Sequence, residues 1–369
     1  MLKRYPFLKY SLGVLASLIL IIVCFGFWFV SLLPAKKLNI ENTIAEEIPY
    51  LSQNRISNRG KILTVVTSTA VMGKSQKKTG YELTELSRAY YVFQANGYEV
   101  SVASPLGGKA PVVLDKEDMG IYDYAFLNDE EAQEKINNTL VLGDIDFKEY
   151  DAVFFVGGKG AMFDFPNHPM IHEMLKNYYE NNKVIGAVCH GPAALVNVKL
   201  SNGSALLKDK KITSFTNEEE LFLIPEAKNI FPFLLEEEIR KQGAKFISSE
   251  KYLEKVNHDE NIITGQNPWS TWKVAETMIK QLGHTPKERE ITGEENAVSV
   301  LAVYKSKGKK AAKEKISEFM FDNSKPVDRL LIAQHSMLEV LGGKVSGFVD
   351  LVSLVSFIKS CEKKLLKNN

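Results

Sequence analysis

Cysteine is scarce in this chain: there are three in 369 residues, Cys24, Cys189 and Cys361, all far apart. That excludes a disulfide framework for a protein of this length. No CxxC pair and no Cys/His cluster with zinc spacing occurs, so no metal site is expected. Net charge is nearly absent as well, at +1, and no global field argues for nucleic acid. Repeats and low-complexity tracts are missing. What remains is ordinary globular composition, 45% hydrophobic and 25% charged. The length suits two domains plus an extension.

Charge is also missing from one long stretch. From Tyr10 to Leu33 no charged residue appears, and Leu18-Ile19-Leu20-Ile21-Ile22-Val23 forms its apolar centre. At a rise of about 1.5 Å per residue, a helix of this length spans a hydrocarbon core of about 30 Å. Lys3, Arg4 and Lys9 precede it, and Trp28 and Phe29 sit near its far end. Leu33-Pro34-Ala35 lacks small residues at both positions that a cleavage site needs. The expectation is an uncleaved N-terminal transmembrane helix, a single-pass membrane anchor over residues 1–37. Lys36 and Lys37 make both flanks basic. The extra N-terminal positives still favour the N-terminus inside and the remainder on the extracytoplasmic side.

Residues 38–60 read as a polar linker. A βα alternation then begins. Ile62 to Ser68 is a continuous apolar strand of the kind a sheet covered on both faces requires. Leu83–Ala95 carries helical periodicity and ends at Asn96-Gly97. Strands follow at Val100–Ala103, Ala152–Val156 and Val184–Val188, with a helix over Met170–Tyr179. Further short strands fit Lys211–Ser214, Lys245–Ile247 and Asn261–Thr264. This pattern predicts a flavodoxin-like, doubly wound parallel α/β sheet over residues 61–285. Residues 286–369 change character. Ala297–Tyr304, Ala311–Phe321, Val327–Leu341 and Phe348–Leu366 read as a helical C-terminal extension.

The chemistry concentrates at Val188-Cys189-His190-Gly191-Pro192. A strand followed at once by a helix makes a sharp turn at the carboxyl edge of the sheet, where doubly wound folds bind ligands. Gly186, Ala187 and Gly191 relieve crowding there, and Pro192 suits a first helical position. Cys189 would then sit at a helix N-terminus, where the dipole lowers a thiol pKa. The backbone N–H of His190 could bind a developing oxyanion. The arrangement is a nucleophile turn with Cys in place of Ser. Nothing in core packing asks for a His beside a Cys at a strand edge.

The chain resembles the ThiJ/PfpI superfamily, with its class I glutamine amidotransferase-like fold, and within it the larger branch of chaperone-like, glutathione-independent glyoxalases. The resemblance runs from about Lys61 to Leu282. It is carried by Gly80-Tyr81-Glu82-Leu83-Thr84-Glu85-Leu86, Ala103–Gly108, Val156-Gly157-Gly158, Ala187–Pro192, Phe215–Glu220 and Thr264–Pro268. It implies Cys189 as nucleophile, His190 as its partner and Glu85 as the acid/base that contacts the sulfur. It implies an acidic residue orienting the histidine, with Glu220 matching best and Glu219 the runner-up. Gly158 matches the glycine that supplies a second oxyanion N–H. Lys159 departs from the pattern, since the larger branch often has His there. His258, in Asn257-His258-Asp259-Glu260, reads as part of a polar hairpin turn.

These readings imply an enzyme acting on a small reactive carbonyl, such as methylglyoxal giving lactate, or on a glycated or peptide substrate. No cofactor and no metal is needed, and a homodimer is allowed. The rival readings are a membrane-tethered chaperone or redox-sensing protein whose Cys189 is oxidised rather than turned over, or a cysteine peptidase or amidase.

Overall fold

The structure is a computed structural model that describes residues 6–34, 39–56 and 58–368. The chain divides into two compact units. One comprises residues 38–290, the other residues 1–37 together with 291–369.

The larger unit is built on strands. In chain order they are β1 (Gly60–Val65), β2 (Tyr81–Glu82), β3 (Tyr98–Ser104), β4 (Val112–Val113), β5 (Leu140–Val141) and β6 (Ala152–Phe155). β7 (Val184–Val188), β8 (Lys211–Ile212), β9 (Lys245–Phe246), β10 (Val256–Asp259) and β11 (Ile262–Gly265) follow. Seven of them form one sheet in the order β10-β11-β7-β6-β1-β3-β5. All its pairings are parallel except β10 with β11. β2 with β4 and β8 with β9 make two small parallel ribbons.

The continuous apolar runs have their reason in this sheet. Ile62, Phe154, Val184 and Val188 face one core, shared with the helices Leu83–Ala95 and Thr271–Gln281. Leu63, Val65, Val153, Phe155, Ile185 and Ala187 face the other, shared with the helix Pro169–Glu180. Side chains alternate between faces along a strand, so a sheet covered on both faces needs apolar residues at every position. The chain direction sends the ends of β1, β6, β7 and β11 to one carboxyl edge.

The smaller unit is helical: Pro6–Leu32, Gly293–Ser317, Arg329–Leu341 and Val345–Asn368. Gly308, at φ +81°, breaks the first of the C-terminal helices. The expected transmembrane helix is corrected here. Among the described residues, no helix is long and apolar enough to cross a membrane. Part of the apolar run is instead committed to its own unit. The rings of Phe25 and Phe29 lie 6.0 and 6.3 Å from Phe348, Leu32 is buried, and the Lys359 ammonium donates to the Ser31 carbonyl. The single-pass anchor, and the extracytoplasmic placement that rested on it, fall with that helix. Lys3, Arg4, Lys36 and Lys37, whose charges entered the orientation argument, lie outside the described residues.

Candidate active site

β7 ends at Val188, and Cys189 takes the turn with φ +58°. A side chain in this left-handed region is strained, so the surroundings must hold it. They do so from two sides. The Cys189 N–H donates to the Gly265 carbonyl at 2.9 Å, and the Phe215 N–H donates to the Cys189 carbonyl at 2.8 Å. The turn delivers the thiol to the carboxyl edge of the sheet in a residue only 5% exposed.

A line of polar groups leads away from the sulfur. Cys189 Sγ lies 3.3 Å from His190 Nδ1, and His190 Nε2 lies 2.5 Å from Glu220 Oε2. The imidazole packs on the ring of Phe215 at 4.7 Å. Glu220 therefore fixes the orientation of the imidazole. Burial pushes the Glu220 carboxyl up, but the charge and hydrogen bond of His190, with Lys159 beyond, pull it below the usual carboxylate range.

Glu219, one residue earlier, points elsewhere. Its carboxylate accepts from the Thr216 N–H and hydroxyl, the Tyr252 N–H, Gln266 Nε2 and Asn267 Nδ2, at 2.7–3.1 Å. With Thr216 it forms a capping box on the helix Asn217–Leu223. So of the two adjacent glutamates, Glu220 meets His190 and Glu219 ties three loops together.

Glu85 arrives from the first turn of the helix Leu83–Ala95 and is fully buried. Its Oε2 accepts from the Gly157 N–H at 2.7 Å. Burial, and then Glu82, raise its carboxyl well above the usual range, while a hydrogen bond with Cys189 opposes that rise. Burial and the Glu85 carboxyl likewise raise the Cys189 thiol, with the Lys159 cation opposing. This differs from the expectation of a dipole-depressed thiol. The segment after Cys189 is a five-residue 3-10 turn, Gly191–Leu195, too short for a sizeable macrodipole. The structure thus brings two proton-sharing pairs together, Glu85 with Cys189 and His190 with Glu220.

Gly157 and Gly158 close the site from β6. A Cβ on Gly157 would stand 2.6 Å from Glu85 Oε2 and 2.8 Å from the His190 nitrogen, so no side chain fits. Gly158 has φ +96°. Among the described residues, the N–H groups of Gly158 and His190 make no hydrogen bond within the protein, which leaves both free for a ligand oxygen. His258 lies apart, in β10, with Nε2 2.7 Å from the Glu260 carbonyl. No cluster that could hold a metal occurs among the described residues.

Sequence reasoning missed three supports. Thr216-x-x-Glu219 is a capping-box signature that could have assigned Glu219 its structural role. Glu82 lies inside a quoted motif, yet its burial and its influence on Glu85 have no local signal. Arg88, buried at i+3 from Glu85, is held at 3.2 Å from Asp123 and sits 5.2 Å from the ring of Trp269.

The DJ-1/PfpI family matches residues 77–281, more than half of the chain. The chain belongs to the DJ-1/PfpI family. Glyoxalase 3 of Candida albicans is 32% identical over 231 residues, covering 59% of this chain and 97% of that protein. A glutathione-independent glyoxalase of Schizosaccharomyces pombe is 31% identical, covering 56% and 90%. Among solved structures, the 24 kDa rapid encystment protein of Francisella tularensis has 39% identity and a TM-score of 0.57, over 62% of this chain and 99% of that one. The Candida albicans glyoxalase III structure has 30% identity and a TM-score of 0.55, over 61% and 98%. The family match contains Glu85, Gly158, Cys189, His190 and Glu220; the helical unit lies outside it.

Proposed function

We propose that the chain is a glutathione-independent glyoxalase that works through Cys189. The carrying observation is the run from sulfur to imidazole to carboxylate, with Glu85 beside the same thiol. Similarity to proteins named glutathione-independent glyoxalases supports the reading.

In the reaction with methylglyoxal, the Cys189 proton passes to His190 as the sulfur adds to the aldehyde carbon, which leaves the Glu85 carboxylate to act as base. A C–S bond forms, and the carbonyl pair becomes an oxyanion facing the N–H groups of His190 and Gly158. Glu85 then takes the proton from that carbon, giving an enediol, and the adjacent carbon is reprotonated. The product is a lactoyl thioester on Cys189. Water cleaves it to lactate and restores the thiol. No oxidant, reductant or glutathione enters the balance. The narrow exposure of Cys189 suits a small aldehyde better than a peptide.

The test is methylglyoxal consumption and lactate formation by the full chain, without glutathione and with EDTA present, beside a folded Cys189→Ala variant. Turnover confined to the wild type supports the reading. An inactive wild type, or an active variant, sinks it.

A further inference from the structure

Lys159 has no role in the chemistry above, yet its place is constrained. β6 pairs with β7 up to Phe155↔Ala187, so the segment after β6 and Cys189 leave the sheet side by side. That segment is Val156-Gly157-Gly158-Lys159-Gly160. Its glycines are pressed against backbone or against the site. A Cβ on Gly158 would stand 2.3 Å from the Gly80 carbonyl oxygen, and one on Gly160 would stand 2.6 Å from Thr67 Cγ2. The backbone is pinned on both sides of Lys159, the one long side chain this glycine stretch presents.

The lysine is half-buried and makes no ion pair or hydrogen bond among the described residues. The nearby acids are otherwise occupied. Glu220 is bound to His190, and Glu85 accepts from Gly157. Burial, with Asp115 beside it, pushes the Glu82 carboxyl up to about 8, so at neutral pH it is mostly uncharged. The ammonium nevertheless acts electrostatically on Cys189, Glu82 and Glu220. A half-buried cation near a reactive sulfur, with no ion pair of its own among the described residues, is a receptor for an anion.

We propose that Lys159 is a specificity-determining residue that receives a carboxylate carried by the α-oxo aldehyde Cys189 attacks. As a statement about substrate class, this rests on the glyoxalase reading. As a statement about anion recognition at Cys189, it does not.

The first measurement is therefore independent of turnover. The full chain is alkylated with iodoacetate or iodoacetamide, a charged and a neutral reagent of nearly the same shape. Each forms a C–S bond with loss of iodide. Peptide mass spectrometry reads the rate at Cys189 separately from Cys24 and Cys361. The iodoacetate-to-iodoacetamide rate ratio should exceed that of the unfolded chain by about tenfold. Lys159→Met should abolish this preference and Lys159→Arg should retain it, with circular dichroism confirming that both fold. A ratio equal in wild type and Lys159→Met overturns the proposal. That result includes the case in which both reagents slow together because the lysine only tunes the thiolate. The second measurement compares methylglyoxal with 4,5-dioxopentanoate, which is methylglyoxal bearing a carboxymethyl group. The relative kcat/KM for the anionic aldehyde should fall about tenfold in Lys159→Met. A wild type that consumes neither aldehyde while keeping its alkylation preference removes the glyoxalase reading and leaves the anion site standing.

Discussion

Replacing Glu219 should cost the fold, whereas replacing its neighbour Glu220 should cost the reaction. In Glu219→Ala, five donor contacts lose their acceptor. Some have alternatives: Asn267 Nδ2 keeps the Leu253 carbonyl at 2.8 Å, and Gln266 Nε2 has the Glu250 carbonyl at 3.5 Å. The N–H groups of Thr216 and Tyr252 do not. A buried donor stranded in this way costs about 1–3 kcal/mol. Burial raises the Glu219 carboxyl, so the carboxylate itself carries a desolvation cost that its removal recovers. The net loss should be about 3 kcal/mol. Urea unfolding followed by the fluorescence of Trp269 and Trp272 reads it. In Glu220→Gln an amide can still meet His190, so the stability change should stay near 1 kcal/mol. The imidazole loses its charged partner, however, and kcat/KM should fall by about 10² to 10⁴. A Glu219→Ala variant of wild-type stability, or a fully active Glu220→Gln, would refute the assignment of the two roles.

Three further outcomes follow from the same geometry. Glu82 titrates at about 8 in the folded chain against an ordinary value of 4.5. Its neutral form is the one the fold favours, so stability should decline as pH rises from about 4.5 to 8 and level off above. Glu82→Gln should remove up to about 3 kcal/mol of that decline, allowing for partial solvent access to the carboxyl; unfolding free energies at pH 5 and pH 8 decide it. Burial and then Lys305 lower His335, in the helical unit, to about 4. Because the unfolded chain takes up its proton first, stability should be lost as pH falls from about 6.5 to 4, by about 3 kcal/mol. A His335→Phe variant whose melting temperature falls over that range as much as the wild type's would contradict this. Gly157→Ala forces a methyl against Glu85 Oε2 and the His190 nitrogen. Its turnover should drop at least about a hundredfold, read as kcat on a protein whose circular dichroism is unchanged.

Much of the site was legible because strong local signals coincide with it. Glycine and proline around Cys189 mark a strand-to-turn junction, and the apolar runs of β1, β6 and β7 mark a doubly covered sheet. What was not legible depends on three-dimensional surroundings. The thiol is raised rather than lowered because it is buried with Glu85 beside the sulfur, and because the helix expected from Pro192 is only a 3-10 turn. The choice between Glu219 and Glu220 turned on which side chain faces His190. The charge-free run from Tyr10 to Leu33 reads as a lipid-spanning helix, but a run of that kind also packs on a partner helix, as Phe25 and Phe29 do on Phe348. The helices Ile121–Asn128 and Glu130–Asn137 escaped notice because each spans only eight residues, too few for a clear apolar period. The separation between the helices read over Ala297–Tyr304 and Ala311–Phe321, by contrast, was legible, and the break falls at Gly308 with φ +81°.

The central claim is that Cys189 bonds covalently to the substrate carbon during turnover. Acid quenching of the full chain with methylglyoxal, followed by peptide mass spectrometry, tests it directly. The Cys189 peptide should gain the mass of one methylglyoxal unit. The adduct should be cleaved by hydroxylamine as a lactoyl thioester is, and it should be absent from Cys189→Ala. Lactate formation with an unmodified Cys189 peptide, or label confined to lysine and arginine, would contradict the account.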